Sequence, residues 1–460
     1  MKDNIIILAA GKSSRMKMNK SKCAIPLLRK PIILHLVETL KKIDFKKKIV
    51  VLGYEKETLE SLLSNFGTYV YQEEQLGTGH AVSLSLPYLD YNEELTFIVC
   101  GDMPLLKEDT IQLLKEYHLY NKNDLTVVST IVDDPKRYGR LIKDRASNLV
   151  RIVEYKDATE KEKLINEVNT GIYCINTSVL KKLIQLISNN NAQKEYYLTD
   201  LISLAYQNNY KVGVYQNLDY FQFSGIDDLN TLSVVEEKLR KDIIYKHRNN
   251  GVLMVSSDTI TISDETIIEP GVIIYPNTCI NGKTIIKSGA VIGPNSEIND
   301  CIIGNNTIIK HSLVNNSLIG SNTSIGPFAQ LRNNCIIGDN IRIGNFVEIK
   351  NSTIGNKTKI AHLTYIGDTT CGENVNFGCG VVTVNYDGTK KHKTIIENNV
   401  FIGCNVNLIA PIVVKENSYI AAGSTITQDV PAKSLSIART RQINKEDYIE
   451  QKQKLKRNEK

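Results

Sequence analysis

Residues 262–298 read ISDETIIEPGVIIYPNTCINGKTIIKSGAVIGPNSEI, with an isoleucine at every sixth position: Ile262, Ile268, Ile274, Ile280, Ile286, Ile292 and Ile298. A helix repeats about every 3.6 residues and a flat strand every two, so neither generates the series. A six-residue beat predicts a parallel β-helix, each hexapeptide one short side of a coil, its aliphatic residue turned into the stacked core. After slips of one residue the beat returns at Ile319, Ile325, Leu331, Ile337, Ile343 and Ile349, and again at Ile402, Leu408, Val414, Ile420 and Ile426. Glycine often follows the aliphatic residue, as at 292–293, 303–304, 325–326, 343–344 and 402–403, which predicts tight corners there.

The beat breaks at VVTVNYDGTKKHKTI, residues 381–395, where 383–394 are polar and basic. Upstream of the repeat, residues 227–250 space Leu229, Leu232, Val235, Leu239 and Ile243 by three or four, one apolar stripe on a long helix ended by Gly251. Before that, short aliphatic strands (Ile5–Leu8, Lys48–Leu52, Leu95–Cys100) alternate with helical patterns near 31–44, 56–65 and 78–86. Such alternation predicts a mostly parallel sheet covered on both faces, with ligands beyond the carboxyl ends of its strands. The expected domains are therefore 1–226, a connector helix 227–250, and 251–460.

Composition is that of a water-soluble chain: 42% hydrophobic, 23% charged, 460 residues. No apolar run reaches the length of a membrane span, and the N-terminal IIILAAG reads as a buried strand rather than a leader. Nine scattered cysteines without a CxxC pair predict reduced thiols in the cytoplasm and no zinc site. Much of the net charge of +6 lies in the tail 439–460, and without interleaved aromatics it reads as a solvated helix, not a nucleic-acid surface.

After the first strand, LAAGKSSRM (8–16) offers small residues that let backbone N–H groups approach phosphates, with Lys12 and Arg15 for charge. It has neither Walker A nor GxGxxG spacing, and by itself it equally suits a strand-to-helix turn. Lys22 is a second candidate phosphate contact. Asp102, at the carboxyl end of the strand ending in Cys100, is placed either to hold a hard cation such as Mg²⁺ or to cap the next turn. In the repeat, KIAHLTYIGD (359–368) carries His362, with Arg332, Lys350, Tyr365 and Asn376 at nearly one-coil spacings, a set suited to a sugar phosphate or to a solvated ladder.

These motifs together resemble a known family. LAAGKSSRM, GTGHA and CGD match the phosphate loop, nucleotide turn and metal motif of sugar nucleotidyltransferases. YGR (138–140), VEYKDAT (153–159), NTGIY (169–173) and NNNAQKEYYLTD (189–200) are similar to the bacterial N-acetylglucosamine-1-phosphate uridylyltransferases. GPFAQLR, GNFVEIK, AHLTYIGD, NVNFGCG and NYDGTKKHKT resemble the glucosamine-1-phosphate N-acetyltransferase half of the same bifunctional family. The resemblance implies an α/β fold: a Rossmann-like nucleotidyltransferase domain, a linker helix and a left-handed parallel β-helix. It implies that Leu8, Ala9, Ala10, Gly11, Gln72, Gly77, Thr78, Cys100 and Gly101 hold the uridine nucleotide. Lys22 and Arg15 would neutralise triphosphate, Gly139, Glu154 and Asn169 grip the sugar, and Asp102 and Asp227 bind Mg²⁺. In the other half His362 would be the general base, with Glu348 as its partner. Arg332, Lys350, Tyr365, Asn376 and Lys391 would bind glucosamine phosphate, and Cys379, Asn385, Tyr386, Cys404, Ala422 and Arg439 the acetyl-CoA.

The implied protein is a homotrimer whose loop 383–394 leaves the coil to build an active site between subunits. It would use UTP, acetyl-CoA and glucosamine 1-phosphate and supply peptidoglycan and lipopolysaccharide synthesis, with no nucleic acid or membrane partner. The sequence departs from the family at Ser13 (usually Gly), Ser21 (usually Pro), Asp227 (usually Asn), Cys379 (usually Ala) and Cys404 (usually Ser). The two cysteines predict sensitivity to thiol reagents. Two other readings stay open at this point: a single-activity pyrophosphorylase with a scaffolding β-helix, and a non-enzymatic assembly protein.

Overall fold

The strand Asn4–Ala9 sends successive side chains to opposite faces, and both faces are apolar. Ile5 and Ile7 pack with Leu36, Leu40, Val50, Phe97 and Leu114, while Ile6 packs with Ile49, Ile98, Val82, Leu180 and Leu201. A strand buried on both faces needs helices on both, and the computed structural model, which describes residues 3–89, 95–135 and 137–458, has them. Helices Ile32–Lys41, Lys56–Leu63 and Thr78–Ser85 fall where the sequence pattern puts them. The sheet runs Val212–Gln216, Leu125–Ile131, Glu167–Asn176, Leu95–Cys100, Asn4–Ala9, Lys47–Leu52, Thr68–Tyr71. Four neighbours at one end are mutually parallel, but Glu167–Asn176 is antiparallel to both of its neighbours. That reversal brings Gly171 beside Cys100 and Met103, at the carboxyl end of Leu95–Cys100.

The chain divides into one unit ending at Lys241 and another starting at Asp242, inside the helix Leu229–Asn249. Along that helix Val235 is fully buried against Met16, Ile25, Leu27, Ile32 and Ile226, flanked by Leu232 and Leu239. Leu229, expected on the same stripe, is instead 51% exposed.

In the second unit the six-residue beat becomes very short parallel strands stacked in register. Ile262 lies opposite Ile280, Ile280 opposite Ile298, then Val314, Leu331, Ile349 and Ile366 in one fully buried column. Each such side chain contributes roughly 1.5–3 kcal/mol by leaving water. The left-handed corners fall largely on asparagine, including Asn277, Asn295, Asn306, Asn322, Asn340 and Asn374, the side chain that best tolerates that conformation after glycine. Asparagine amides bond from coil to coil, as in Asn277–Asn295 (2.9 Å) and Asn281–Asn299 (2.7 Å).

This corrects the expected role of the glycines that follow the aliphatic residue. Gly293 and Gly326 do have positive φ, but Gly304, Gly344 and Gly403 do not. A Cβ on Gly344 would stand 1.9 Å from the Ala361 carbonyl, and one on Gly403 2.5 Å from the Ala422 nitrogen. Those glycines allow neighbouring coils to approach; they do not make the turn.

The excursion is also shorter than the sequence implies. Val382–Val384 and Thr394–Ile396 remain strands in the ladder, and the departing segment is closed by a bridge between Tyr386 and Lys391.

Candidate active sites

The first site lies where Asn4–Ala9 and Leu95–Cys100 end side by side. Gly101 N–H donates to the Leu8 carbonyl (2.9 Å), and a Cβ on Gly101 would press on Ala9, so the Leu8–Gly11 loop and Cys100–Asp102 form one surface. Opposite it, Gln72 donates to the Gly77 carbonyl (3.0 Å), and Gly77, at φ +109°, leaves no room for a side chain beside Tyr196. Thr78 Oγ1 accepts from Leu198 N–H (3.1 Å). Gly77 and Thr78, two of the residues expected to hold the nucleotide, are thus tied to the segment 189–200 that the sequence singled out.

The charged centre is compact. Lys22 Nζ donates to Asp102 and, at 2.9 Å, to Asp227, whose carboxylate also meets Arg15 at 2.9 Å. Burial alone would lower the Lys22 ammonium, but the two carboxylates and the bond to Asp102 raise it well above its ordinary value. Two carboxylates converging on one cation are the donor set a hard, oxygen-preferring ion requires. Among the described residues no group of three or more His, Cys, Asp or Glu side chains is placed to hold a metal, so any ion there takes its remaining ligands elsewhere.

The departures at Ser13 and Ser21 have structural consequences. Ser13 takes the left-handed conformation (φ +57°) that glycine would favour, and its hydroxyl accepts from Lys22 N–H at 2.8 Å. Ser21 N–H donates to the Glu55 carboxylate, a bond no proline can make. Both substitutions tie the lysine segment to its surroundings.

Gly139, Glu154 and Asn169 also come together. Asn169 N–H donates to the Gly139 carbonyl (2.8 Å), and a Cβ on Gly139 would lie 3.6 Å from Glu154 and 3.7 Å from Asn169. Burial pushes the Glu154 carboxyl upward, the Thr199 hydroxyl at 3.1 Å pulls it down, and Asp157, Asp200 and Glu195 add to the rise. Tyr173, whose hydroxyl accepts from Asn169 at 3.0 Å, was not legible as part of this cluster.

The second site is on the β-helix. His362 is exposed on the strand Lys359–Gly367, and its Nδ1 meets Asn345 Oδ1 at 2.7 Å one coil earlier. Glu348 is not its partner: that carboxylate is engaged by Arg332 at 2.6 and 2.8 Å. Counting one coil back from His362 would have found Asn345.

Past the left-handed corner at Leu363 (φ +45°), Arg332 stands level with Lys350 and Lys350 with Gly367. A Cβ on Gly367 would collide with the Tyr365 hydroxyl and the Asn385 amide, so these groups converge there. The Lys350 ammonium is lowered first by contact with Lys391 and then by burial, with Asp368 opposing. Asp368 also accepts from Asn351 and Asn385, fastening the root of the loop. Within the loop the Asp387 carboxyl is held well below its usual range by the Lys390 N–H, His392 and the Thr389 N–H and hydroxyl. Asn376 stands apart from this cluster, level with Lys359 and Phe401 on the side before the corner, as His362 does. Cys379, Cys404 and Ala422 precede corners of consecutive coils, and Arg439 Cδ lies 3.9 Å from where a Cβ of Gly423 would be.

Comparison with known proteins finds family matches within each unit. Residues 5–169 match the MobA-like NTP transferase domain, 262–354 the GMPPB C-terminal domain, and 393–428 the bacterial transferase hexapeptide of six repeats. Over nearly the whole chain the sequence is similar to curated proteins named bifunctional protein GlmU. It is 49% identical over 448 residues to that of Acholeplasma laidlawii, covering 97% of each chain. It is 45% identical over 445 residues to that of a Geobacillus species, again 97% of each, and 42% identical over 444 residues to that of Bacillus subtilis, 96% of this chain and 97% of the relative.

Proposed function

The chain belongs to the GlmU family of bifunctional transferases, and on that premise we propose that it makes UDP-N-acetylglucosamine in two steps: acetyl transfer from acetyl-CoA to glucosamine 1-phosphate, then uridylyl transfer from UTP with release of pyrophosphate. The observation that carries this reading is the likeness of one chain, over 97% of its length, to relatives named for two activities, with residues suited to each in its two units. We assign uridylyl transfer to 1–226, the connector to 227–250 and acetyl transfer to 251–460. No helix among the described residues is long and apolar enough to cross a membrane. With its free cysteines, this supports a cytoplasmic setting, where the product enters peptidoglycan and, where it is made, lipopolysaccharide.

In uridylyl transfer a phosphate oxygen of the sugar attacks the α-phosphorus of UTP and pyrophosphate leaves in line. Leu8–Gly11, Gln72, Gly77 and Thr78 seat the nucleotide, while Gly139, Glu154 and Asn169 orient the sugar. Lys22 and Arg15, held by Asp102 and Asp227, transfer their hydrogen bonds to triphosphate oxygens and offset the repulsion between two anions. Mg²⁺ held by Asp102 and Asp227 would supply the remaining charge neutralisation on the phosphates.

In acetyl transfer an acceptor oxygen on Nδ1 of His362 places the proton there, leaving Nε2 to take the proton of the sugar amine. The nitrogen attacks the thioester carbonyl and CoA leaves as its thiolate, with backbone N–H groups near Cys379 meeting the oxyanion. Arg332, Lys350, Tyr365 and Lys391 receive the sugar phosphate. His362 and Asn376 lie before the corner and the cation cluster after it. This supports a homotrimer, in which one copy's first side faces another's second, with the carrier along Cys379, Asn385, Tyr386, Cys404, Ala422 and Arg439.

The test is mass-spectrometric detection of N-acetylglucosamine 1-phosphate and free CoA, and separately of UDP-N-acetylglucosamine from UTP. Acetyl transfer that requires glucosamine 1-phosphate and vanishes in His362→Ala supports the bifunctional assignment. Folded protein that forms only the nucleotide sugar reduces the β-helix to a scaffold.

A further inference from the structure

The positions at which this chain replaces the family's small residues, 379 and 404, are not independent. The register that sets Phe377 opposite Ile402 and Val382 opposite Asn407 puts Cys379 level with Cys404 on the adjoining coil. The hydrogen bonds Gly378 N–H to Ile402 O (2.8 Å) and Asn405 N–H to Cys379 O (2.7 Å) close the ladder around them. Neighbouring strands lie about 4.8 Å apart, within the roughly 4.4–6.8 Å over which a disulfide joins two Cα atoms. Cys404 is exposed and Cys379 half-buried. One coil on the other side, the register of Ile360 with Phe377 and Tyr365 with Val382 places His362 level with Cys379, a proton acceptor one strand away.

The remaining cysteines do not offer this. Cys174, Cys301, Cys335 and Cys371 are buried, and Cys279 faces Thr261 and Glu297. Cys23 and Cys100 approach each other near Gly101, but burial, reinforced by Asp102, pushes both up to about 12, which leaves almost no thiolate.

We propose that Cys379 and Cys404 form a vicinal dithiol, a modification site for low-molecular-weight disulfides, and that CoA disulfide closes it to an intrachain disulfide across two coils. The choice of CoA disulfide rests on the acetyl-CoA reading of these positions; the dithiol itself rests on register and exposure alone. The Cys404 thiolate attacks one sulfur of CoA disulfide, the S–S bond breaks, and one CoA leaves and takes up the proton. The Cys379 thiolate, its proton passed to His362, then attacks Cys404 Sγ of the mixed disulfide, and the second CoA leaves and is protonated in turn. Two protein thiols are oxidised, one CoA disulfide is reduced to two CoA thiols, and thiols reverse the reaction. The closed form removes the surface along which the acyl carrier lies, so acetyl transfer stops. In a reducing compartment a disulfide of this kind is transient, as redox-responsive ones are.

The experiment treats full-length protein with CoA disulfide and follows intact mass and non-reducing peptide maps. The expected result is loss of two hydrogens, a peptide linking Cys379 to Cys404, closure roughly tenfold faster than modification of any other cysteine, and loss of acetyl transfer restored by dithiothreitol. In Cys379→Ala the reaction stops at a stable CoA adduct on Cys404, and in Cys404→Ser no fast phase remains. A lasting CoA adduct on the unsubstituted protein, or equal labelling across the nine cysteines, overturns the proposal. Acetyl-CoA is expected to protect the pair, and glutathione disulfide to close it more slowly. Closure that is indifferent to acetyl-CoA and equally fast with glutathione disulfide supports the dithiol and overturns the carrier reading. Calorimetric binding of acetyl-CoA without closure does the reverse.

Discussion

The two proposed sites would face the same electrostatic problem, bringing a phosphorylated sugar to a second anionic substrate, with opposite preparation. In the nucleotide site the charges satisfy one another: Lys22 is held by Asp102 and Asp227, and Arg15 by Asp227. On the β-helix, Lys350, Lys391 and Arg332 crowd like charges together, with Asp368 opposing and Glu348 committed to Arg332. A satisfied cluster must be taken apart before phosphate arrives, whereas a frustrated one is relieved by it.

The sharpest way to break that comparison is to remove the group each site cannot replace. His362→Ala deletes the proposed base, and acetyl transfer is expected to fall by ~10²–10⁴-fold while uridylyl transfer is unchanged. Rates of the purified variant in both assays check this, and equal loss in both would mean misfolding. Asp102→Asn is the mirror experiment. With one carboxylate gone, uridylyl transfer is expected to fall on the order of 10³-fold, the several kcal/mol of charge stabilisation a divalent ion supplies, and acetyl transfer to persist. Stability measured alongside should change less than activity, because the asparagine can still accept from Lys22.

A smaller effect separates positioning from chemistry. Asn345→Ala removes the acceptor on His362 Nδ1, and acetyl transfer is expected to drop about tenfold, one charge-assisted hydrogen bond's worth. Asn345→Asp, which keeps an acceptor oxygen, should restore rate, whereas loss through a merely structural asparagine would not be rescued by it.

How much of this was legible depended on what kind of contact set each residue. The repeat core was open to reading because burial of Ile262, Ile280 and Ile298 imposes its period directly on the sequence. The helix Leu229–Asn249 was legible for the same reason, although its first leucine stays exposed. Asn345, seventeen residues before His362, could be found only by counting one coil back, and the commitment of Glu348 to Arg332, sixteen residues before it, falls off that count and carries no periodic mark. The glycines were found but misassigned, because a sequence registers that a side chain is missing and not whether a turn or a neighbouring strand forbids it. The reversal at Glu167–Asn176 was invisible, as an antiparallel strand buried on both faces looks like a parallel one.

The frustrated cluster makes a pH prediction. Lys350 is lowered in the free protein, and a bound phosphate restores its preference for the proton. Glucosamine phosphate binding is therefore expected to take up a proton where the free Lys350 has begun to lose its own, below the usual lysine range near ~10.4. Affinity should fall as pH rises through that window. Titration calorimetry in two buffers of different ionisation enthalpy measures the uptake. Lys391→Met removes the repulsion, so the fall should move to higher pH; a fall that stays in place would assign it to another group.

The smallest expected effect tests whether the nucleotide site's departures are accommodated locally. Ser21 has φ −60° and ψ 133°, a conformation that proline adopts without strain. Ser21→Pro restores the family's residue and stiffens the unfolded chain, worth about 0.4–1 kcal/mol. It also deletes the N–H that Glu55 accepts, a bond to a charged group worth roughly 1.5–3 kcal/mol. The loss outweighs the gain, so the midpoint of denaturant unfolding should fall modestly. The effect on Lys22 is separate, because Ser13 still accepts its backbone N–H, and the Michaelis constant for UTP should hold within a few-fold. Adding Glu55→Gln to the proline variant should then cost almost nothing, whereas in the Ser21 protein it weakens a used bond. If Glu55→Gln costs the same in both backgrounds, that carboxylate serves something other than Ser21, and the serine is a tolerated replacement that the loop does not depend on.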